Sequence, residues 1–293
     1  MALYNRGGFA LENEARALEA SDDYRVLRRL PQPDELWLAP TPYGGPAITI
    51  AAVDTETTGL SDRDTLIEIA IVKISLDHHG RVCDIKRPIV QLEDPLVPLS
   101  AEVQRVTGLD DATLAGRHFD EQVLIDQLDD VDALVAFNAR FDAGFWRRRF
   151  PAMRHPWLCA LRDYSWVAAG FNERSQSGLL TAHGHFYVAH RAEPDAWALA
   201  MLLAGRTADE RTVAAHLVDA GRRVDQRIAA WQAPFSVKDD LRARGYRWDA
   251  GKRVWMIDVA ADLADVECAA LMALHPGIRP AAEPIDWFNR HVE

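Results

Sequence analysis

Along residues 9–30 the apolar positions Leu11, Ala15, Leu18, Tyr24, Leu27 and Leu30 recur at three- or four-residue steps, apart from a break at Ser21-Asp22-Asp23. That spacing predicts a helix. Pro31, Pro33, Pro40, Pro42, Gly44, Gly45 and Pro46 then crowd a stretch that can neither propagate a helix nor pair as a central strand, so the main domain is expected from residue 46. There the pattern changes. Residues 48–53 are a β-branched run with no polar face, as a buried central strand requires. Residues 66–74 predict a second strand and 84–91 a third, with Gly80 in a hairpin turn between them. A helix over 119–128, a fourth strand over 133–137 and a helix over 139–150 follow. A last helix begins at Pro194, a favoured first-turn position, and ends at Gly205.

Three strands joined by hairpins, then a strand alternating with helices, predict an α/β domain whose mixed sheet is covered by helices on both faces. Residues 206–230 read as charged and helical, and Pro234 breaks them. Beyond it Phe235, Leu241, Tyr246, Trp248, Val254, Trp255 and Ile257 are interleaved with Lys238, Arg242, Arg244, Arg247, Lys252 and Arg253. The expected organisation is a helical extension and Pro/Gly linker (1–45), the main domain (46–207), a helical connector (208–232) and a small C-terminal α+β module (233–293).

Composition narrows the class. With 48% hydrophobic residues and nine Trp in 293 residues, the chain has the apolar content of a folded protein and not of a disordered one. Its strongly apolar stretches are strand-sized, far short of the ~20 residues that a bilayer helix needs. Glu12 and Glu14 interrupt the N-terminal region, so no secretory leader is expected. Cys83, Cys159 and Cys268 form no CxxC pair and are odd in number, which points to a reducing cytoplasm and away from a disulfide scaffold or a zinc site. The net charge of −11 counts against a nucleic-acid partner, because Lys and Arg drive phosphate binding.

The chemistry is carried by carboxylates. In Val53-Asp54-Thr-Glu56-Thr-Thr-Gly59-Leu60 side chains alternate along an extended chain, so Asp54 and Glu56 project together from the end of the first strand. Two converging carboxylates make an oxygen-rich pocket that suits a hard cation such as Mg²⁺ or Mn²⁺. Asp142 falls in the first turn of the helix after the fourth strand, and Asp195 opens the helix at Pro194 with His190 in the loop before it. Singly, each acid is explained by the helix dipole. Together, four carboxylates are enough to hold two divalent ions and leave the site ready for an anionic phosphodiester. A neutral His190 then fits the role of a base that takes a proton from water.

These residues resemble the DEDDh (DnaQ-like) 3′–5′ exonucleases, the family of the proofreading epsilon subunit of bacterial DNA polymerase III. The resemblance covers roughly residues 46–205: Asp54-Thr-Glu-Thr-Thr-Gly-Leu60, Leu66-Ile-Glu-Ile-Ala70, Asn138-Ala-Arg-Phe-Asp142 and His190-Arg-Ala-Glu-Pro-Asp195. It implies an RNase H-like fold, two Mg²⁺ or Mn²⁺ ions and release of nucleoside 5′-monophosphates from a 3′ end. Asp54, Glu56 and Asp195 would bind the first ion, Asp54 and, through water, Asp142 the second, and His190 would be the general base. Thr57, Thr58, Gly59 and Leu60 would line the pocket for the terminal nucleotide, with Leu60 wedged against its base and Asn138 and Phe141 as further substrate contacts. The chain departs from many relatives at Phe137-Asn138-Ala139 and at Val106-Thr107-Gly108-Leu109, where His-Asn-Ala and His-Gly-Ile are common.

The expected substrate is the single-stranded or frayed 3′ end of DNA, in repair or proofreading with a polymerase or repair partner. The alternatives are an exoribonuclease of the RNase T or oligoribonuclease type and an inactive nucleic-acid-binding scaffold. Arg147 and Arg148, and Lys238, Arg247 and Trp248 in the C-terminal module, are candidate nucleic-acid contacts. These local basic clusters answer the objection raised by the net charge.

Overall fold

The run that starts at Ile48 is apolar on both faces for six residues, and it forms the middle of a sheet. In the computed structural model, which describes residues 9–36 and 45–291, the chain divides into a larger unit (1–220 with 291–293) and a smaller one (221–290).

The larger unit opens with α1 (Phe9–Glu19) and the two-residue strand β1 (Arg28–Arg29). The helix expected to reach residue 30 therefore stops at Glu19. Ser21-Asp22-Asp23 ends it, because these side chains compete for backbone hydrogen bonds. Arg28 is held by Glu12 and Glu19. Pro40, Pro42 and Gly44 of the expected linker lie outside the described residues.

Next come β2 (Ile48–Thr57), β3 (Leu66–Leu76), β4 (Val82–Ile85) and β5 (Ile89–Leu92). β2 and β3 pair antiparallel, with Asp54 opposite Ala70 and Glu56 opposite Glu68. The turn before β4 contains Gly80 at φ +72°. The third strand, expected over 84–91, is two strands, both paired to β3. Pro88 divides them, since proline has no N–H for the ladder. The short helices α2 (Ala101–Thr107) and α3 (Asp111–Leu114) were not legible from periodicity. Their Ser100 and Asp110 caps accept from Val103 N and Thr113 N.

α4 (Glu121–Leu128), β6 (Ala133–Ala136), α5 (Ala139–Arg149) and β7 (Trp157–Cys159) follow. β6 pairs parallel to β2, and β7 parallel to β6, giving the order β4-β3-β2-β6-β7 with β5 also on β3. Ala51 and Val53 of β2 share one buried cluster with Leu124, Trp146, Phe150 and Trp157. On the opposite face lies α7 (Ala192–Leu203), preceded by α6 (Gln176–Ala182) and β8 (His185–Phe186), which pairs with β1. α7 packs on β2 and β3 and is buried almost all round from Ala196 to Leu203. It begins at Ala192, two residues before the expected start; Pro194 is still tolerated within the first turn, where an N–H has no intrahelical partner. The result is the expected α/β, RNase H-like mixed sheet flanked by helices. No described helix is long and apolar enough to cross a membrane.

α8 (Val213–Arg222) forms only part of the expected helical connector. Residues 225–231, also expected as helix, are the strand β9 (Asp225–Trp231) of the smaller unit. Its buried Ile228 and Ala230 alternate with half-buried Ala229, a strand period that the flanking charges obscured. α9 (Lys238–Ala243), β10 (Arg247–Asp249), β11 (Val254–Ala260), α10 (Ala264–Leu274) and β12 (Arg279–Ile285) complete an antiparallel sheet in the order β10-β11-β9-β12. Leu241, Tyr246, Leu271 and Ile278 belong to its core.

Candidate active site

β2 is long enough to run past the covering helices, and its polar end emerges where α5 and α7 begin. One carboxylate oxygen each from Asp54, Glu56 and Asp195 lies within 4.8 Å of the others. Asp142, in the first turn of α5, is buried and accepts a hydrogen bond from Thr55 Oγ1 at 2.8 Å. Its charge is the largest acting on Asp54. Three chain segments remote in sequence thus deliver four acids to one place.

Burial and mutual repulsion disfavour the charged forms. Asp54 is pushed well above the carboxylate range, first by burial and then by the charges of Asp142 and Asp195. Burial, with Asp195 and Glu68 nearby, raises Glu56 to about 8. Asp142 rises to about 7 through burial, against the hydrogen bond from Thr55. Asp195 is also raised by burial, although Tyr187, His190 and Arg191 all donate to it. An all-oxygen set that cannot carry its full negative charge unaided suits hard divalent cations, so the residues present fit the metal dependence of the chemistry.

A stability effect follows from the same shifts. Unfolded Asp and Glu ionise near pH 4. Between that value and about 7 to 8 the metal-free folded site binds more protons than the unfolded chain, so stability falls as pH rises through this window. We expect the melting temperature in chelator to drop from pH 6 to pH 8, and the gain on adding Mn²⁺ to be larger at pH 8. Scanning fluorimetry with and without metal checks this; an equal gain at both pH values would contradict it.

His190 is exposed, with φ +73°, in the left-handed region that costs a non-glycine residue about 1–2 kcal/mol. Its surroundings over-determine that conformation. The Asp195 carboxylate accepts His190 N at 2.6 Å and Arg191 N at 3.3 Å. Arg191 donates twice to Glu68, at 2.7 and 3.0 Å, and Glu68 also accepts Ala192 N at 3.1 Å. Glu68 is fully buried, and it accepts the Ala192 N–H at the start of α7, where the N-cap Arg191 makes no side-chain cap bond, adding to the first-turn acids Glu193 and Asp195. Tyr187 Oη donates to Asp195 Oδ1 at 2.5 Å, and Gln176 Nε2 donates to Asp195 as well. Glu68, Arg191, Tyr187 and Gln176 escaped the sequence reading. Glu68 carried one signal, a lone charge inside an apolar strand, which demands a buried partner; Tyr187 and Gln176 carried none.

The loop after β2 is tightly fastened. Thr57 Oγ1 donates to Gly59 O, Thr58 Oγ1 to Asp64 Oδ1, and Ser61 N to Asp64 Oδ2. A Cβ on Gly59 would lie 2.7 Å from the Asp64 carboxylate, which explains the glycine. Leu60 is left 86% exposed at the tip. Asn138 caps α5 without a side-chain bond, and Phe141 packs on Phe145. Arg148 lies over Phe145 and 3.7 Å from Asp62. Arg149, the neighbour of Arg147 and Arg148, is taken up by Glu93 and Glu121.

The sequence matches the model of the RNase T exonuclease family over residues 51–203. Among curated proteins it is 39% identical over 100 residues to the PolC-type DNA polymerase III of Listeria welshimeri, covering 33% of this chain and 6% of that protein. The Bacillus subtilis PolC-type enzyme is 38% identical over 104 residues, with coverage of 33% and 6%. The match thus spans about 6% of the length of these relatives. Among solved structures, exonuclease X in complex with 5′-overhanging duplex DNA is 26% identical, covers 57% of this chain and 99% of its own, and gives a TM-score of 0.42. The nuclease domain of 3′hExo, a DEDDh family member bound to rAMP, is 18% identical with coverage of 62% and 96% and a TM-score of 0.44.

Proposed function

The chain belongs to the RNase T exonuclease family, and from that premise we propose that it hydrolyses single-stranded or frayed DNA from the 3′ end, releasing nucleoside 5′-monophosphates in repair or proofreading. The observation that carries this reading is the convergence of Asp54, Glu56 and Asp195 beside the buried Asp142. In the proposal Asp54, Glu56 and Asp195 would hold one divalent cation, and Asp54 with, through water, Asp142 would hold a second. Bound there, the cations supply neutralising charge and an acidified water.

The chain's own residues then divide the work. His190 is exposed at the mouth of the acid cluster, where its ring takes the proton of the attacking water. The water oxygen bonds to phosphorus as the bond to the 3′ oxygen of the penultimate nucleotide breaks in line, and that leaving oxygen takes a proton from solvent water to become the new 3′-hydroxyl. The Glu68–Arg191 pair fixes the start of α7, so the His190 backbone and the Asp195 carboxylate keep one relative position. Removing Arg191 would leave the buried Glu68 carboxylate with the Ala192 N–H; because the guanidinium is itself 42% exposed, the loss is expected to fall below the ~3–5 kcal/mol of a fully buried pair. Leu60 at the tip of its fastened loop is the wedge against the terminal base, with Thr57, Thr58, Gly59, Asn138 and Phe141 around the nucleotide.

The test uses matched 5′-labelled DNA and RNA oligonucleotides with Mg²⁺, Mn²⁺ or chelator. Stepwise shortening from the 3′ end, faster on DNA and lost in chelator, is expected. Faster RNA shortening would move the substrate to the exoribonuclease alternative, and no cleavage of either with both metals would leave only a binding scaffold.

A further inference from the structure

The smaller unit sorts its aromatic and basic residues into two sets. Tyr246, Leu241 and Val254 are buried, and Tyr246 donates to Glu267. Arg244 pairs with Glu267 at 2.7 Å, and Arg227 and Arg247 both pair with Asp258. These residues are accounted for by the unit's own folding. Arg247, a candidate nucleic-acid contact from the sequence, belongs with them.

The second set lies outside the core apart from Trp255, which is partly buried against it. Phe235 is 79% exposed and Trp248 50% exposed, large rings left to water. The Lys238 ammonium lies 4.1 Å from the centroid of Phe235, and the Arg242 guanidinium 5.6 Å from that of Trp255. Trp248 stands edge-on to Trp255 across the β10–β11 rung, at 5.5 Å. Lys238 and Arg242 are four residues apart on α9 and so share one face of it. Contacts join Phe235 to Lys238, and Arg242 to Trp255 and thence to Trp248; the shared face of α9 brings the two groups together in one stripe, so that a pair of cations lies between rings. Asp239 offsets Arg242 only from an exposed position, at 3.3 Å.

We propose that this stripe binds a single-stranded polynucleotide, the substrate class of the exonuclease reading above, on which the proposal rests. Flat rings on either side of paired cations suit a chain of bases and phosphates: bases stack on rings without regard to sequence, and cations follow the backbone. An acidic peptide would use the cations and leave the rings idle. Charge distribution agrees. Residues 221–290 hold eleven Lys/Arg against ten Asp/Glu, whereas the remainder of the chain carries −12 of the total −11.

The experiment uses the full chain carrying Asp54→Asn, in chelator, so that nothing is cut. Affinities for labelled dT₂₀, U₂₀ and a blunt DNA duplex are read by fluorescence anisotropy at two salt concentrations. The F235A/W248A pair is expected to weaken dT₂₀ or U₂₀ binding about tenfold or more, and K238E to weaken it at least threefold with a shallower salt slope. Quenching of tryptophan fluorescence by dT₂₀ should be lost with Trp248. Unchanged single-strand affinity in a folded F235A/W248A protein, or equal loss on duplex and single strand, would overturn the proposal. If that double variant fails to fold, K238E and F235A, at positions outside the core, decide it by the same readings. Hydrolysis of the p-nitrophenyl ester of thymidine 5′-monophosphate, a mononucleotide with no further strand to bind, should be unaffected in the variants made without Asp54→Asn. Wild-type failure on that ester counts against the catalytic reading alone, since the binding measurements do not depend on turnover.

Discussion

Asp54→Asn is expected to lower turnover by about 10³-fold or more while the protein stays folded, because several kcal/mol of metal-borne stabilisation vanish at about 1.4 kcal/mol per decade. Asp54 is pushed toward the protonated form by burial first, and then by Asp142, Asp195, Glu56 and Glu68. The neutral amide keeps the shape of the side chain but removes the charge that both proposed cations would share. The substitution therefore separates two quantities. The rate on a labelled oligonucleotide collapses, whereas the melting temperature in chelator at pH 8 holds or rises, since one repelling charge has gone. A normal rate would mean that the metal site lies elsewhere. A lowered melting temperature in chelator would mean that Asp54 has a structural partner that its surroundings do not display.

His190→Ala is the second large effect. A positioned base is worth about 10²–10⁴-fold, and the loss should fall on kcat with KM changed little. The geometry supports that split. His190 is exposed and its ring is not needed by the core, while its backbone N–H to Asp195 survives the change to alanine. Steady-state kinetics on a short 3′ overhang decides between roles. A rise in KM at constant kcat would make His190 a binding residue, and the base would have to be sought elsewhere.

How far the site could be read from sequence depended on how local each signal was. Asp54 and Glu56 announce themselves because a strand of uninterrupted apolar residues ends on alternating acids, and the 2.0-residue period alone puts them together. Asp142 and Asp195 lie 88 and 141 positions beyond Asp54; only the motif resemblance linked them, since no periodicity reports a contact at that range. The support around Asp195 was invisible for the same reason: Tyr187 and Gln176 sit in a segment without regular spacing. In the fold, the central strands were legible because burial on both faces leaves a continuous run. Misreadings came where charge masks a short element. Lys86, Arg87 and Pro88 join β4 and β5 in one apparent strand, and Arg222, Arg223 and Arg227 make β9 resemble the helix before it. The short α2 and α3 owe their existence to capping side chains more than to an apolar stripe.

The two outer strands of the smaller unit have a bearing on how that unit can recognise anything. A sheet with an open border invites another chain to add a strand, whether a peptide ligand or a second copy. Here β10 is only three residues long, and β12 carries Pro280 and Pro284, which have no N–H to offer a newcomer, with the exposed charge of Glu283 between them. Main-chain annexation is thus closed at both borders. Whatever docks on this unit must do so through side chains, and selectivity there is a property of a few rings and cations that can be exchanged one at a time without disturbing a single rung of the ladder.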